Sequence, residues 1–388
     1  MYLNGYIREF GKYSFAEHPF NDVDALVLAE ISYLNLDLVL NKESDGSILL
    51  KNIDLSNIDD LVKQQSDTSK NKVMLPLLMK SKRFKDLIIR DVIVTNDNND
   101  VCQFYAMTIF FEDRFYIAFR GTDLTLRGWK EDLQMTYNKI IPGQHAANKY
   151  INSVVKKYPG KFYIGGHSKG GNLAVYAAFR VKEEHQNDLV HIYSFDGPGF
   201  SDETLLKEIE ESPIYHKIIK YVPRETVVGI MLKHTKIAKI IKAKSSGVFQ
   251  HDPFNWEITE EGKFKLLNRR ATISLINERS LNNWLDGLSK KDLLLLTDLF
   301  FSSFEDLGTD LIYIKDHWWE SFRKIQTFYR SLDKKDRNRL RDIGVALIKS
   351  NAKSTAHVLR EKAQNNIKKM QEKSKVKAPV KKEQKNKA

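Results

Sequence analysis

The sequence predicts an α/β fold: a mainly parallel sheet flanked by helices, continued by a C-terminal all-helical extension and a basic tail. Three observations predict it. Between about residues 90 and 260, short β-branched and aromatic runs alternate with helical segments, as in strands joined by crossover helices. One of those runs, Lys161-Phe162-Tyr163-Ile164-Gly165, leads straight into Gly166-His167-Ser168-Lys169-Gly170 and then into small, helix-forming residues from Asn172 to Arg180. Beyond about Ser280 the pattern is wholly helical.

Taken in order, the first helix is expected over Phe20 to Asp37, capped by Asn21 or Asp22, with Val23, Leu26, Val27, Ile31 and Leu34 at mostly helical spacing. Residues 41–80 are polar and mixed around Pro76, and are expected to form loops and short helices over one sheet edge. Val92-Ile93-Val94 is a β-branched run followed by turn-forming Asn96 to Asp100. Cys102 to Phe111 and Arg114 to Arg120, joined by Glu112-Asp113, read as a hairpin feeding the sheet. Gln144 to Tyr158 is helical, and two more strands follow the central pentad, Leu189 to Phe195 and Lys217 to Val222. In the extension, Ser289 and Asp292 form a capping pair for a helix over Lys291 to Phe304, with further helices over Lys315 to Ser331 and Lys334 to Ile348. The domain reading is an N-terminal helical and loop segment (1–86), a core (87–270), a helical subdomain (271–360) and a disordered Lys-rich tail (361–388).

Composition bounds the function. The 388 residues, 42% hydrophobic and 11% aromatic, describe a globular chain with room for a large core. No apolar run is long enough to span a bilayer, and Met1 to Phe20 lacks the continuous apolar stretch of a secretory signal. A lone Cys102 excludes an internal disulfide and fits a reducing, cytoplasmic setting. Much of the net charge of +12 is local: Glu361 to Ala388 holds ten lysines against three glutamates. Such a tail is expected to be solvated or to lie on an anionic membrane as a peripheral contact. No aromatic-interleaved basic motif or zinc spacing supports nucleic-acid binding, which is expected to be absent.

The chemistry centres on the pentad. A strand, a tight turn holding serine between glycines, and a helix make a nucleophile elbow, so the predicted sheet is of the α/β-hydrolase type. Side chains at Gly166 or Gly170 would strike the neighbouring strand or helix. Ser168 is the candidate nucleophile, and a serine hydroxyl needs a base within hydrogen-bonding reach. In this fold the acid and then the histidine follow the serine in the chain. Among the later histidines, His185, His191 and His216 sit on or beside elements at unsuitable positions, and His317 and His357 belong to the helical region. His251, in Gln250-His251-Asp252-Pro253-Phe254, is preferred over His234, whose neighbours Lys233 and Lys236 would oppose its protonation. The acid is Asp196, at the end of a strand in Asp196-Gly197-Pro198-Gly199, with Glu225 as the alternative. Two donors are expected for an oxyanion: the N–H of Lys169 and the Thr122 group in Arg120-Gly121-Thr122-Asp123. Asp123 and Asp132 are expected to stabilise that loop. No metal or organic cofactor is required.

Phe119-Arg120-Gly121-Thr122, Gly166-His167-Ser168-Lys169-Gly170-Gly171 and Phe195-Asp196-Gly197-Pro198 together resemble the motifs of the lipase class 3 branch of the α/β-hydrolases. With Asp24-Ala25-Leu26-Val27-Leu28 and Gln250-His251-Asp252-Pro253-Phe254, the chain looks closer still to a bacterial group in that superfamily known as a domain of unknown function. The resemblance covers about residues 20–260 and implies a serine carboxylester hydrolase, lipase- or esterase-like. Two departures stand out. The lipases usually carry their acid one strand later, where this chain has Glu225-Thr226-Val227 without an aspartate, and Lys169 replaces an apolar residue, a cation that would favour anionic acyl esters such as phospholipids. Both point away from triacylglycerol. A hydrolase-derived, non-catalytic scaffold that binds a membrane or protein partner is the competing reading.

Overall fold

The computed structural model describes residues 1–40, 46–63, 68–97, 102–122, 126–234, 238–302 and 318–376. Its strands are β1 (Ser47–Leu49), β2 (Ile88–Asp97), β3 (Cys102–Phe111), β4 (Arg114–Phe119), β5 (Phe162–His167), β6 (Leu189–Phe195), β7 (Ile218–Pro223), β8 (Lys239–Ile241) and β9 (Leu266–Leu267). They form one sheet in chain order. The five central strands, β4 to β8, pair parallel, while β1 to β4 at one side and β8 with β9 at the other pair antiparallel. The expected parallel sheet is therefore its centre, and the expected hairpin of β3 and β4 feeds it.

Side-chain alternation along the strands explains why both faces are dry. On β4, Phe115, Ile117 and Phe119 join one apolar cluster while Tyr116 and Ala118 join another. Helices cover each face, as a buried parallel sheet requires. On one side lie α1 (Leu3–Phe10), α2 (Asp22–Ile31), the short α3 (Asp37–Leu40) and α4 (Ile58–Leu61), and α5 (Thr68–Lys80). The opposite side carries α6 (Leu126–Gln134), α7 (Pro142–Lys157), α8 (Lys169–Phe179), the single turn α9 (Glu183–Gln186) and α10 (Glu203–Glu211). The C-terminal helices are α11 (Thr272–Asp286), α12 (Lys290–Ser302), α13 (Trp318–Ser331) and α14 (Lys334–Val376).

The described residues of 41–80, expected over one sheet edge, join α1 and α2 in the apolar layer on one face of the sheet. Helix α2 is buried on all sides from Val23 to Ile31, so its apolar residues show no stripe. It is shorter than expected. Asn21 caps it, its Oδ1 accepting from the Val23 amide at 2.7 Å while Asp24 Oδ2 accepts from the Asn21 amide at 2.9 Å. It ends where the Ser32 hydroxyl bonds the Ala29 carbonyl oxygen at 2.6 Å. Inside this layer Asp24 and Arg83 form an ion pair with both side chains inaccessible, and Tyr6 donates to Asp24 Oδ1 at 2.9 Å. Helix α5 accommodates Pro76 internally, because Met74, Leu75 and Leu78 are buried beneath it and packing outweighs the lost hydrogen bond.

The extension also differs. Ser289 caps α12 as anticipated, with its hydroxyl and amide both on Asp292 Oδ2 at 2.7 and 2.9 Å. Leu293 is buried, and Phe304, the expected end of this helix, lies outside the described residues, as do Lys315 and His317. Helix α14 does not stop at Ile348 but continues to Val376, so the tail expected to be disordered from residue 361 is helical over 361–376. The reason is local: between Gly344 and Pro379 the chain has no glycine or proline and is rich in Ala, Lys, Gln and Glu. Residues 377–388 lie outside the described residues. No described helix is long and apolar enough to cross a membrane.

Candidate active site

Ser168 sits on the bend between β5 and α8 with φ 57° and ψ −132°, a left-handed conformation that a serine adopts only when its surroundings impose it. The imposition is backbone packing. A Cβ at Gly166 would lie 2.4 Å from the Phe119 carbonyl oxygen, and one at Gly170 would lie 2.1 Å from the same atom. Only glycines allow the elbow to press this closely on β4. The Ser168 amide donates to the Phe195 carbonyl oxygen at 2.9 Å, tying the bend to the end of β6.

One residue beyond that end, Asp196 also has a left-handed backbone, φ 49°, and its side chain is fully buried. Its carboxylate is used twice. Oδ1 accepts from the Thr226 hydroxyl at 2.5 Å, and Oδ2 lies 2.7 Å from His251 Nδ1. The carboxylate therefore holds the His251 proton on Nδ1 and leaves Nε2 as the ring's acceptor. Ser168 and His251 line the same cavity, of about 180 Å³. Glu225, the alternative acid, is engaged elsewhere. Its Oε2 accepts from the Gly247 amide at 2.7 Å and its own amide donates to Gln250 Oε1 at 2.8 Å, so it shapes the loop leading to His251.

The imidazole of His167 braces His251 from behind. Its Nε2 donates to the His251 carbonyl oxygen at 2.9 Å, and its Nδ1 faces the Tyr33 hydroxyl at 3.2 Å. Burial holds His167 well below the usual histidine range, so it stays neutral. Glu30, 3.6 Å from His167 Nδ1, is held by burial well above the usual carboxylate range. Tyr33, Glu30, Thr226 and Gln250 were not singled out from the sequence. Tyr33 and Thr226 meet partners 134 and 30 residues away, and although Gln250 lies inside the Gln250-to-Phe254 motif, nothing in that motif assigns its side chain to the Glu225 amide.

At the other side of the serine, Thr122 follows β4 and donates its hydroxyl to Asp132 Oδ2 at 2.6 Å. That bond occupies the hydroxyl proton, which is therefore not directed at the cavity. Burial raises Asp132 to about 6. The preceding Arg120 locks the loop to the end of α2, donating to the Ser32 and Leu34 carbonyl oxygens at 2.5 and 2.7 Å with its guanidinium 3.4 Å from the Tyr105 ring centroid. Asp123 lies outside the described residues.

The side chain of Lys169 departs from expectation. It is 1% exposed and its Nζ lies 2.7 Å from Glu131 Oε2, itself inaccessible. A neutralised ammonium turned into the core gives no reason to favour an anionic substrate; only the Lys169 amide remains as a candidate for the oxyanion. His234 also differs in its cause. Lys220 Nζ, 2.7 Å from His234 Nδ1, sits where Lys233 was expected to act, and Lys233 is paired with Glu203. Among the described residues, no cluster of His, Cys, Asp and Glu is arranged to hold a metal ion.

A family model described as Mbeg1-like matches residues 78–302, which contain the elbow, Asp196 and His251. The chain belongs to the Mbeg1-like family. Together with the sheet, this membership agrees with the resemblance to lipase class 3-like α/β-hydrolases. Similar solved structures include M37 lipase, at 16% identity over 54% of this chain and 70% of that one, with a TM-score of 0.36. A lipase from Rhizopus microsporus var. chinensis is 14% identical over 60% and 82% of the two chains, with a TM-score of 0.38. Likeness at these levels carries no argument about activity. No curated protein matches the chain.

Proposed function

We propose that this Mbeg1-like protein is a serine hydrolase of carboxylic esters, with Ser168 as nucleophile, His251 as base and Asp196 as the acid that orients it. One observation carries the reading: the buried Asp196 carboxylate lies 2.7 Å from Nδ1 of a histidine that shares a cavity with the elbow serine. In the reaction, Ser168 Oγ attacks the ester carbonyl and His251 Nε2 takes its proton. The negative oxygen that develops is met by the Lys169 amide and the main chain at Thr122, reinforced by the N-terminus of α8. His251 then returns the proton to the leaving alcohol, and water releases the acyl group by the same steps.

The cavity walls support an acyl ester. Leu133, Met135, Val228, Met231 and Leu232 line it, so the acyl part enters an apolar slot while the reacting carbonyl faces the elbow. A fluorophosphonate probe tests the proposal: it labels wild type and not Ser168→Ala. Unlabelled, well-folded wild type would favour the non-catalytic scaffold.

Peripheral membrane contact through the C-terminal helices is a separate proposal. Helix α14 is rich in Lys and Arg, Ile348 on it is 71% exposed, and Trp319 on α13 is 62% exposed. Co-sedimentation with vesicles containing phosphatidylglycerol should fall sharply on truncation after residue 360, and equal binding by the truncated chain would reject it.

A further inference from the structure

A second cavity, of about 360 Å³, opens on the α11 side of β7 and β8. Its walls include Lys220 and His234, the paired Arg270 and Glu278, and the main chain at Gly229 and Ile230. Lys220 lies in the middle of β7 with its side chain 7% exposed, on the same face as Val222. Its Nζ donates to the Gly229 carbonyl oxygen at 3.0 Å and to His234 Nδ1 at 2.7 Å. Both partners are neutral. Among the described residues no carboxylate stands within ion-pair distance of this ammonium, unlike that of Lys169; Asp196 and Glu278 act on it only from farther off.

His234 extends the pattern. Because Nδ1 accepts from Lys220, the ring proton is on Nε2, a buried atom that completes no hydrogen bond among the described residues, with the Ile230 main chain beside the ring as its nearest acceptor. On the far wall Arg270 donates to Glu278 Oε2 at 2.6 Å, so the single carboxylate lining the cavity is already paired. An ammonium, an imidazole N–H and a guanidinium around one hollow match the oxygens of a small tetrahedral anion.

We propose that this cavity is a binding site for a phosphate group, held by Lys220, His234 and Arg270. The site is independent of the hydrolase reading but adjoins its machinery. Gly229, whose carbonyl oxygen Lys220 holds, donates its amide to Thr226 Oγ1 at 2.9 Å, and Thr226 in turn holds Asp196. The loop that lines this cavity with Gly229 and Ile230 lines the Ser168 cavity with Val228, Met231 and Leu232. A bound phosphate would therefore rest against the support of Asp196.

The test is calorimetric titration of the full chain with inorganic phosphate, below neutral pH, and separately with phosphatidic-acid vesicles against phosphatidylcholine vesicles. Saturable binding is expected in wild type and equally in Ser168→Ala, so failure of the hydrolase reading would leave this result intact. Arg270→Gln should weaken binding about tenfold, the scale of one charge-assisted hydrogen bond, and Lys220→Met should abolish it. Binding of free phosphate identifies a soluble ligand. Lys220-dependent binding of phosphatidic acid alone identifies a lipid headgroup. If Lys220→Met fails to fold, nitrogen-15 spectra of wild-type histidines decide: phosphate should move the His234 Nε2 resonance. Indifference of His234 to both probes, or binding unchanged in folded Lys220→Met and Arg270→Gln, overturns the proposal.

Discussion

His251 and His234 were the two histidines that the sequence left in contention, and their surroundings are opposite. The Nδ1 of His251 meets a carboxylate, that of Asp196, while the Nδ1 of His234 meets the Lys220 ammonium. A carboxylate fixes the tautomer a general base needs and stabilises the imidazolium that forms. Burial, and then the opposing ammonium, hold His234 well below the usual histidine range. The neighbouring lysines are opposed in the same way. Lys169 is buried with Glu131 against it, whereas Lys220 is buried with no carboxylate at ion-pair distance and is pushed by burial down to about 7, Asp196 and Glu278 opposing that shift from farther off. A residue type on its own says little; the sign of the charge beside it decides what it can do.

The contrast is broken most directly at the serine. Ser168→Ala should lower ester turnover by about 10⁴-fold or more, measured with a short-chain chromogenic ester, while His234→Ala should leave turnover within about tenfold. Comparable losses in the two variants would erase the distinction between the histidines. Next in size is the acid. Asp196→Asn should lower kcat by about 10⁴-fold by releasing the wrong His251 tautomer, and Glu225→Gln by no more than about tenfold, the scale of one loosened loop hydrogen bond. A reversed order would move the acid to Glu225.

Stability measurements sharpen the lysine half of the comparison. Lys169→Met leaves Glu131 buried beside no cation and should cost about 3–5 kcal/mol in denaturant unfolding. An unchanged midpoint with an unchanged slope would mean that Glu131 is not dependent on Lys169. The smallest effect is the pH dependence of Lys220. Its folded pKa lies below the unfolded value, so between about pH 7 and 10 the unfolded chain binds more protons and this group's contribution to stability rises with pH. From pH 7 to 9 wild type should gain about 2 kcal/mol relative to Lys220→Met. Parallel pH profiles for the two proteins would show that Lys220 titrates normally.

The elbow was legible because its constraints are local. A strand of apolar residues, glycines where β4 presses against the bend, and a helix that follows at once are all recorded within about twenty positions. Strand β6 was legible for the same reason, since Leu189 to Phe195 is bounded by polar turns at both ends. Helix α2 was harder: burial on every side removes the periodicity that would set its ends, and a single Ser32 hydroxyl closes it. The length of α14 was obscured by charge, because a run of lysines reads as a solvated tail although lysine is a good helix former.

By itself, then, the chain's order of residues determined the α/β plan, the bend at Ser168 and the short set of histidines and carboxylates that could serve it. Only the tertiary structure decided which of them meet. Asp196 and His251 are 55 residues apart and Lys169 and Glu131 38 apart. The physical reason is that a hydrogen bond or ion pair is a property of separation in space, and parallel strands bring such distant segments to one sheet edge without leaving a trace in the spacing between them.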